Sequence, residues 1–400
     1  MSMAVARRTT LAATLALAAA AGAFAACNSG SARVPAPAAA AIAADRISDS
    51  TFWRMVTELS EPGGYFRSDN FVSNEVTYQH VIPDLTRTRA QGGVYLGVGP
   101  DQNFTYLVAL RPRIAFIVDI RRQNMLQHLL YKALIERSAD RAEFLSLLFS
   151  RPRPRGLSAA GATPEALFEA YSAVAADSGA FRRNMAAVKE RLVRTHGFAL
   201  TEDDLRSLEY VYGAFLGGGP ELTYTPFPMG QGGGAQLYGG WRRMPSYAAL
   251  MVESDSAGVQ RSYLASEENF AVLKELETKN LVIPLVGDFA GPHALGAIGQ
   301  YLRDRRLTVT AFYTSNVEQY LFRQGDDWRR FFANVAALPV DSASTFIRAV
   351  FNFGVAGRGP MQMPMQGPRS VTLLAPIAEQ LRAFEEGRIQ SYYDVVQPSP

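Results

Sequence analysis

Between Gly92 and Ile120 the chain reads strand, glycine turn, helix, strand, and no other stretch limits the possible folds as much. Val94-Tyr95-Leu96 is a short apolar strand and Gly97-Val98-Gly99-Pro100 a tight turn. Phe104–Leu110 then has the apolar spacing of a helix, and Ile114–Val118 is a second apolar run. Two strands joined through a helix in about thirty residues match a right-handed βαβ crossover, and so a parallel pair. A parallel sheet is buried on both faces, so the rest of the chain has to supply helices for two sides.

It can do so. Of 400 residues, 48% are hydrophobic and 19% charged, enough for one large core. Helical patterns follow at Met125–Glu136 and Arg141–Phe149, and the breaker-rich segment 151–156 ends the first α/β block. Three successive helical patterns between Thr163 and Phe215 have no strand among them. They lead into Gly217–Gly240, a Gly- and Pro-rich loop carrying Tyr224, Phe227 and Tyr238. We expect residues of about 155–265 to form a helical and loop insertion. The alternation resumes with helix Glu267–Thr278, strand Leu281–Val286, helix Ala294–Arg303, strand Thr308–Phe312, helix Trp328–Ala336 and strand Thr345–Val350. From Val371 the tail adds a strand and the helix Ile377–Glu386, after a Met-rich loop at Gly357–Gly367. The expected fold is α/β, Rossmann-like and doubly wound, a mostly parallel sheet with one helical insertion, occupying residues 48–400.

The N-terminus has a different texture. Arg7 and Arg8 precede an Ala- and Leu-rich run from Leu11 to Ala26, which stops in small residues directly before Cys27, the single cysteine. That layout is an export leader over residues 1–27, followed by a Ser-, Pro- and Ala-rich tether over 28–47. Phe24-Ala25-Ala26-Cys27 resembles a bacterial lipobox, which implies that the Cys27 thiol takes a lipid and that the protein is exported and membrane-anchored. A lone cysteine excludes an internal disulfide framework, and no Cys/His spacing suggests a metal site. The formal net charge of +3 includes the two leader arginines, so the folded part is nearly neutral and nucleic acid is not an expected partner.

In an open parallel sheet, ligands bind outside the carboxyl ends of the strands. Residues there form a series: Gly97 and Gly99 after the first strand, Asp119 after the second, Gly287-Asp288-Phe289 after the third, Ser315-Asn316 after the fourth. Glycines let a ligand approach the backbone, and a carboxylate about twenty residues beyond such a turn stands where ribose hydroxyls are bound. Each residue also has a plain structural explanation as a tight turn or a helix cap. Of His80, His128, His196 and His293, only His293 lies near one of the strand-end acids. Neither a Gly-x-Ser-x-Gly elbow nor a P-loop occurs.

With these residues the core resembles the class I S-adenosylmethionine-dependent methyltransferases. The resemblance covers two blocks of about two hundred residues together. It implies that Gly97 and Gly99 approach the methionyl part of the cofactor, Asp119 the ribose, Asp288 the adenine amine, and Phe289 the adenine face. Asn316 falls in the segment that faces the transferred methyl group. Tyr95 stands where that family has an acid, and Asp101 where it has a third glycine. The whole chain also resembles a family of bacterial lipoproteins with a methyltransferase-like core, a likeness that carries a fold but no reaction. Two functions follow: an exported lipoprotein with a methyltransferase-like domain that takes S-adenosylmethionine or another small nucleoside-like ligand, or a non-catalytic lipoprotein that uses the same scaffold for ligand or protein binding.

Overall fold

Six strands form one sheet in the computed structural model, which describes residues 45–87, 92–224, 244–351 and 369–396. In chain order they are β1 (Val94–Gly97), β2 (Ile114–Asp119), β3 (Val282–Val286), β4 (Val309–Ser315), β5 (Val340–Phe351) and β6 (Ser370–Pro376). Their order across the sheet is β3-β2-β1-β4-β5-β6. The first five are parallel, and β6 returns antiparallel along β5, with Ile347 opposite Leu374. The architecture is Rossmann-like α/β. Every residue of β1, β2 and β3 is buried, as two-sided helix cover demands.

The chain builds outward from β1 through β2 to β3, then crosses back to place β4 on the other side of β1. Connections leaving β1 and β4 therefore diverge, and a crevice opens between them at the carboxyl ends. Helices Gln102–Leu110, Arg122–Arg137 and Ala294–Asp304 follow β1, β2 and β3, within a residue or a few of the expected spans. The strands at 309–315 and 340–351 are longer than their apolar runs alone indicated. Paired with neighbours, a strand can extend through polar residues that have no pattern by themselves.

Helices Pro164–Ser172, Ser178–Lys189 and Glu202–Gly218 form the expected insertion, the second continuing as a π-helical stretch over Glu190–Thr195. A capping box at Thr201 and Asp204 starts the last of them, and Asp204 also takes a two-pronged bond from Arg122 at 2.6 and 2.8 Å. Most of Gly217–Gly240, including Phe227 and Tyr238, lies outside the described residues, as do the Met-rich residues 357–367, the expected leader with Cys27 and most of the expected tether.

The segment before β1 helps to build the crevice. After helix Asp49–Glu58 it crosses the carboxyl ends of β3 and β2: Glu61 N donates to Val286 O at 3.0 Å and Gly64 N to Ile120 O at 2.8 Å. Residues 65–75 thereby become one wall of the crevice.

Candidate functional site

The crevice is a cleft of about 160 Å3 lined from every strand end on the β3-to-β4 side of the sheet. Gly99, Asp119, Asp288, Phe289 and Asn316 all border it, so five of the six residues singled out at strand ends converge. Gly97 does not line it. A Cβ at Gly97 would collide with the Asn103 carboxamide and the Tyr95 ring, so close packing within the turn explains that glycine. Asn103 is buried and spans the turn, donating to Val98 O at 2.9 Å and Pro100 O at 2.7 Å, while the Tyr95 hydroxyl donates to its carbonyl at 2.8 Å. Gly99 has φ +79°, and the place of a Cβ there is open, which leaves its backbone accessible. Behind it His128 Nε2 stands 2.9 Å from Gly99 O. Burial lowers that imidazole to about 4, only partly offset by the Gly99 bond, so it is neutral at pH 7.

Asp119 is buried against Arg121. The guanidinium meets Oδ1 at 2.9 Å and Oδ2 at 2.8 Å, and Arg121 N adds a third bond to Oδ1 at 2.9 Å. Arg121 also donates to the carbonyls of Ser68 and Asp69, which ties the end of β2 to the wall segment. Asp288 is half-buried in a turn built around Glu61, whose carboxylate accepts from Asp288 N at 2.6 Å and His293 N at 3.1 Å. Burial raises the Asp288 carboxyl and the Ala290 N–H, bonded at 2.9 Å, works against that. Phe289 borders the cleft but is only 3% exposed; its ring lies among Phe312 and Phe331 at centroid distances of 5.0 and 5.8 Å. An adenine therefore meets at most its edge. His293 does not line the cleft; its Nε2 contacts Glu58 O at 2.8 Å. Asp101 also points elsewhere: it accepts from the Tyr263 hydroxyl at 2.9 Å in the core, where burial raises it to about 6.

The wall contributes what no strand-end reading found. Tyr65, Phe66, Asn70, Ser73 and Glu75 line the cleft, with Phe66 edge-on to Tyr320 at 5.3 Å. Glu75 is 1% exposed. Its Oε1 accepts from Tyr313 at 2.7 Å and from Ser315, and Gln102 in turn donates to Tyr313. Its Oε2 is buried without a hydrogen-bond partner. Burial pushes this carboxyl up to about 7, and the bonds from Ser315 and Tyr313, with the Gln102 amide close by, hold it down only in part. Glu75 lies in irregular backbone with no motif around it. The only local signal was a carboxylate in an otherwise polar and apolar mix. Val76, its neighbour, is held from across the molecule by Ser370 at the start of β6, at 2.8 Å.

Among the described residues no three His, Cys, Asp or Glu side chains gather as a metal site, and no helix is long and apolar enough to cross a membrane. The family described as "Domain of unknown function (DUF7790)" matches residues 70–199 and 237–362, which include the cleft lining apart from Tyr65, Phe66 and Tyr224. No curated protein matches the chain.

Proposed function

We propose, from the premise that the chain belongs to the DUF7790 family, that the cleft binds a small nucleoside-type ligand, with S-adenosylmethionine the first candidate. The observation that carries this reading is convergence: Gly99, Asp119, Asp288 and Asn316 come from four strand ends and border one cleft at the switch point between β1 and β4. The donor set fits such a ligand in part. Gly99 offers open backbone, and Asp288 offers an acceptor for an amine. On Asp119 a lone pair of Oδ2 remains beside the single Arg121 bond, enough for one ribose hydroxyl. S-Adenosylmethionine, when bound, would supply an electrophilic methyl group, and Asn316 would border the acceptor.

Two observations favour the second, non-catalytic reading: the Asp119 carboxylate is already engaged by Arg121, and the Phe289 ring belongs to the core. Calorimetry of the purified protein with S-adenosylmethionine separates the two. Binding heat that disappears in Asp288→Ala and Asp119→Ala, with both variants still melting cooperatively, supports the cofactor; no heat from the unaltered protein overturns it.

We also propose that the chain is an exported lipoprotein anchored through Cys27, on the strength of the apolar run that ends at that residue. Cells fed labelled palmitate should label the protein and Cys27→Ser should remove the label. An unlabelled parent ends the proposal.

A further inference from the structure

Ser315 closes β4 with φ +52°, in the left-handed region that costs a non-glycine residue about 1 kcal/mol or more. Arg111 and Ser150 share that conformation but sit at helix C-termini, where it completes the last turn. Ser315 instead stands between a strand and the helix Val317–Leu321 that follows. Its bend turns Oγ onto Glu75, and Oγ donates to Oε1. Both residues line the cleft. A strained serine at a strand-to-helix turn, its hydroxyl bonded to a buried carboxylate with one unpartnered oxygen, is the arrangement of a nucleophile with its base.

We propose that Ser315 is a nucleophile and Glu75 its general base, giving the cleft an acyl-transfer activity towards neutral carboxylic esters. The charge of the lining selects the substrate class. Its charged groups are Glu75, Asp119, Asp288 and Arg121, and the guanidinium of Arg121 is taken by Asp119. A phosphate or a carboxylate substrate would meet net negative charge; a neutral acyl carbonyl does not. In the first half-reaction Ser315 Oγ bonds to the acyl carbon and its proton passes to Glu75. The ester C–O bond breaks, and the alcohol leaves with the proton from Glu75. In the second, water adds to the acyl-serine, Glu75 takes the water proton and returns it to Oγ, and the carboxylic acid departs. Ester and water become acid and alcohol with no change of oxidation state. With its carboxyl pushed up to about 7, Glu75 is present in both forms at neutral pH, as a group that accepts and then donates a proton must be. None of this rests on a nucleoside ligand, so failure to bind S-adenosylmethionine leaves it standing.

The test is labelling of the full chain with a neutral alkyl fluorophosphonate, located by mass spectrometry. The label is expected on Ser315, at a rate that rises about tenfold between pH 6 and pH 8 as Glu75 deprotonates. Ser315→Gly suits the local φ, so it should keep the melting temperature and lose the label. Glu75→Gln should slow labelling about a hundredfold or more at pH 8 and flatten its pH profile. No label on the folded protein, a label on another residue, or a Glu75→Gln variant with the parent's rate and profile overturns the proposal.

Discussion

Glu75 in the cleft is fully buried, Glu136 on the helix Arg122–Arg137 has its side chain enclosed though the residue as a whole is less so, and the two titrate in opposite directions. Burial raises both. Around Glu136 it is outweighed: His196 Nε2 and Arg191 Nε each stand 2.8 Å from Oε2, Lys132 Nζ stands 2.8 Å from Oε1, and the carboxyl is held at about 2. Around Glu75 only neutral hydroxyls and an amide answer, and the carboxyl sits at about 7. The two carboxylates differ in what surrounds them, not in chemistry. A charge compensated by cations is structural and silent at neutral pH, whereas one left with neutral donors is available to exchange a proton and is a cost to the fold.

Stripping a cation from Glu136, so that its surroundings come to resemble those of Glu75, should change stability most. Lys132→Met leaves Glu136 with less compensation in the interior and should lose about 3 kcal/mol in a denaturant titration at pH 7. A loss well under 1 kcal/mol would mean that the cations are incidental and the contrast is false.

Next is the reverse change in the cleft. The folded-state carboxyl of Glu75 lies above its ordinary 4.5, so its contribution is fully present below 4.5 and is lost as pH rises through about 7. That loss amounts to about 3 kcal/mol over the window. Glu75→Gln removes it, and near pH 8 the variant should be about 2 kcal/mol more stable than the parent, with no gain near pH 4.5. Equal stability at both pH values would place Glu75 among the structural acids. Glu136 has the opposite sign: its folded-state pKa is depressed, so its contribution is complete above 4.5 and is lost as pH falls towards about 2.

The smallest effect sharpens the floor of the cleft. His128 is depressed from its ordinary 6.5 to about 4, so the neutral ring under Gly99 contributes above 6.5, and that contribution is lost as pH falls towards 4 and the unfolded chain takes the proton. Between pH 6.5 and pH 5.5, His128→Gln should show a stability slope shallower than the parent by about 1 kcal/mol. An unchanged slope would show that another group titrates there.

Much of this was readable along the chain. The block from Val94 to Asp119 declares itself because its contacts are short-range: two apolar runs and a glycine turn specify a parallel pair before any other residue is placed. Asp119, Asp288 and Asn316 could be found by rule, since residues at or just after the carboxyl end of a parallel strand stand at the rim where ligands enter. Phe289 and Asp101 show where the rule stops. Position along a strand places the backbone, but side-chain direction answers to packing, and Phe331 claims the first while Tyr263, distant in the chain, claims the second.

The alternation of strand and helix is written in the order of the residues, and with it the parallel sheet and the rim on which a ligand could lie. Which charges on that rim are already paired and which are left follows from the assembled fold. Arg121 reaches Asp119 from two residues away, but Glu75 meets Tyr313 and Ser315 from more than two hundred residues away. Periodicity records the neighbours a residue has along its own element, and a carboxylate's proton affinity depends on neighbours that the fold alone supplies.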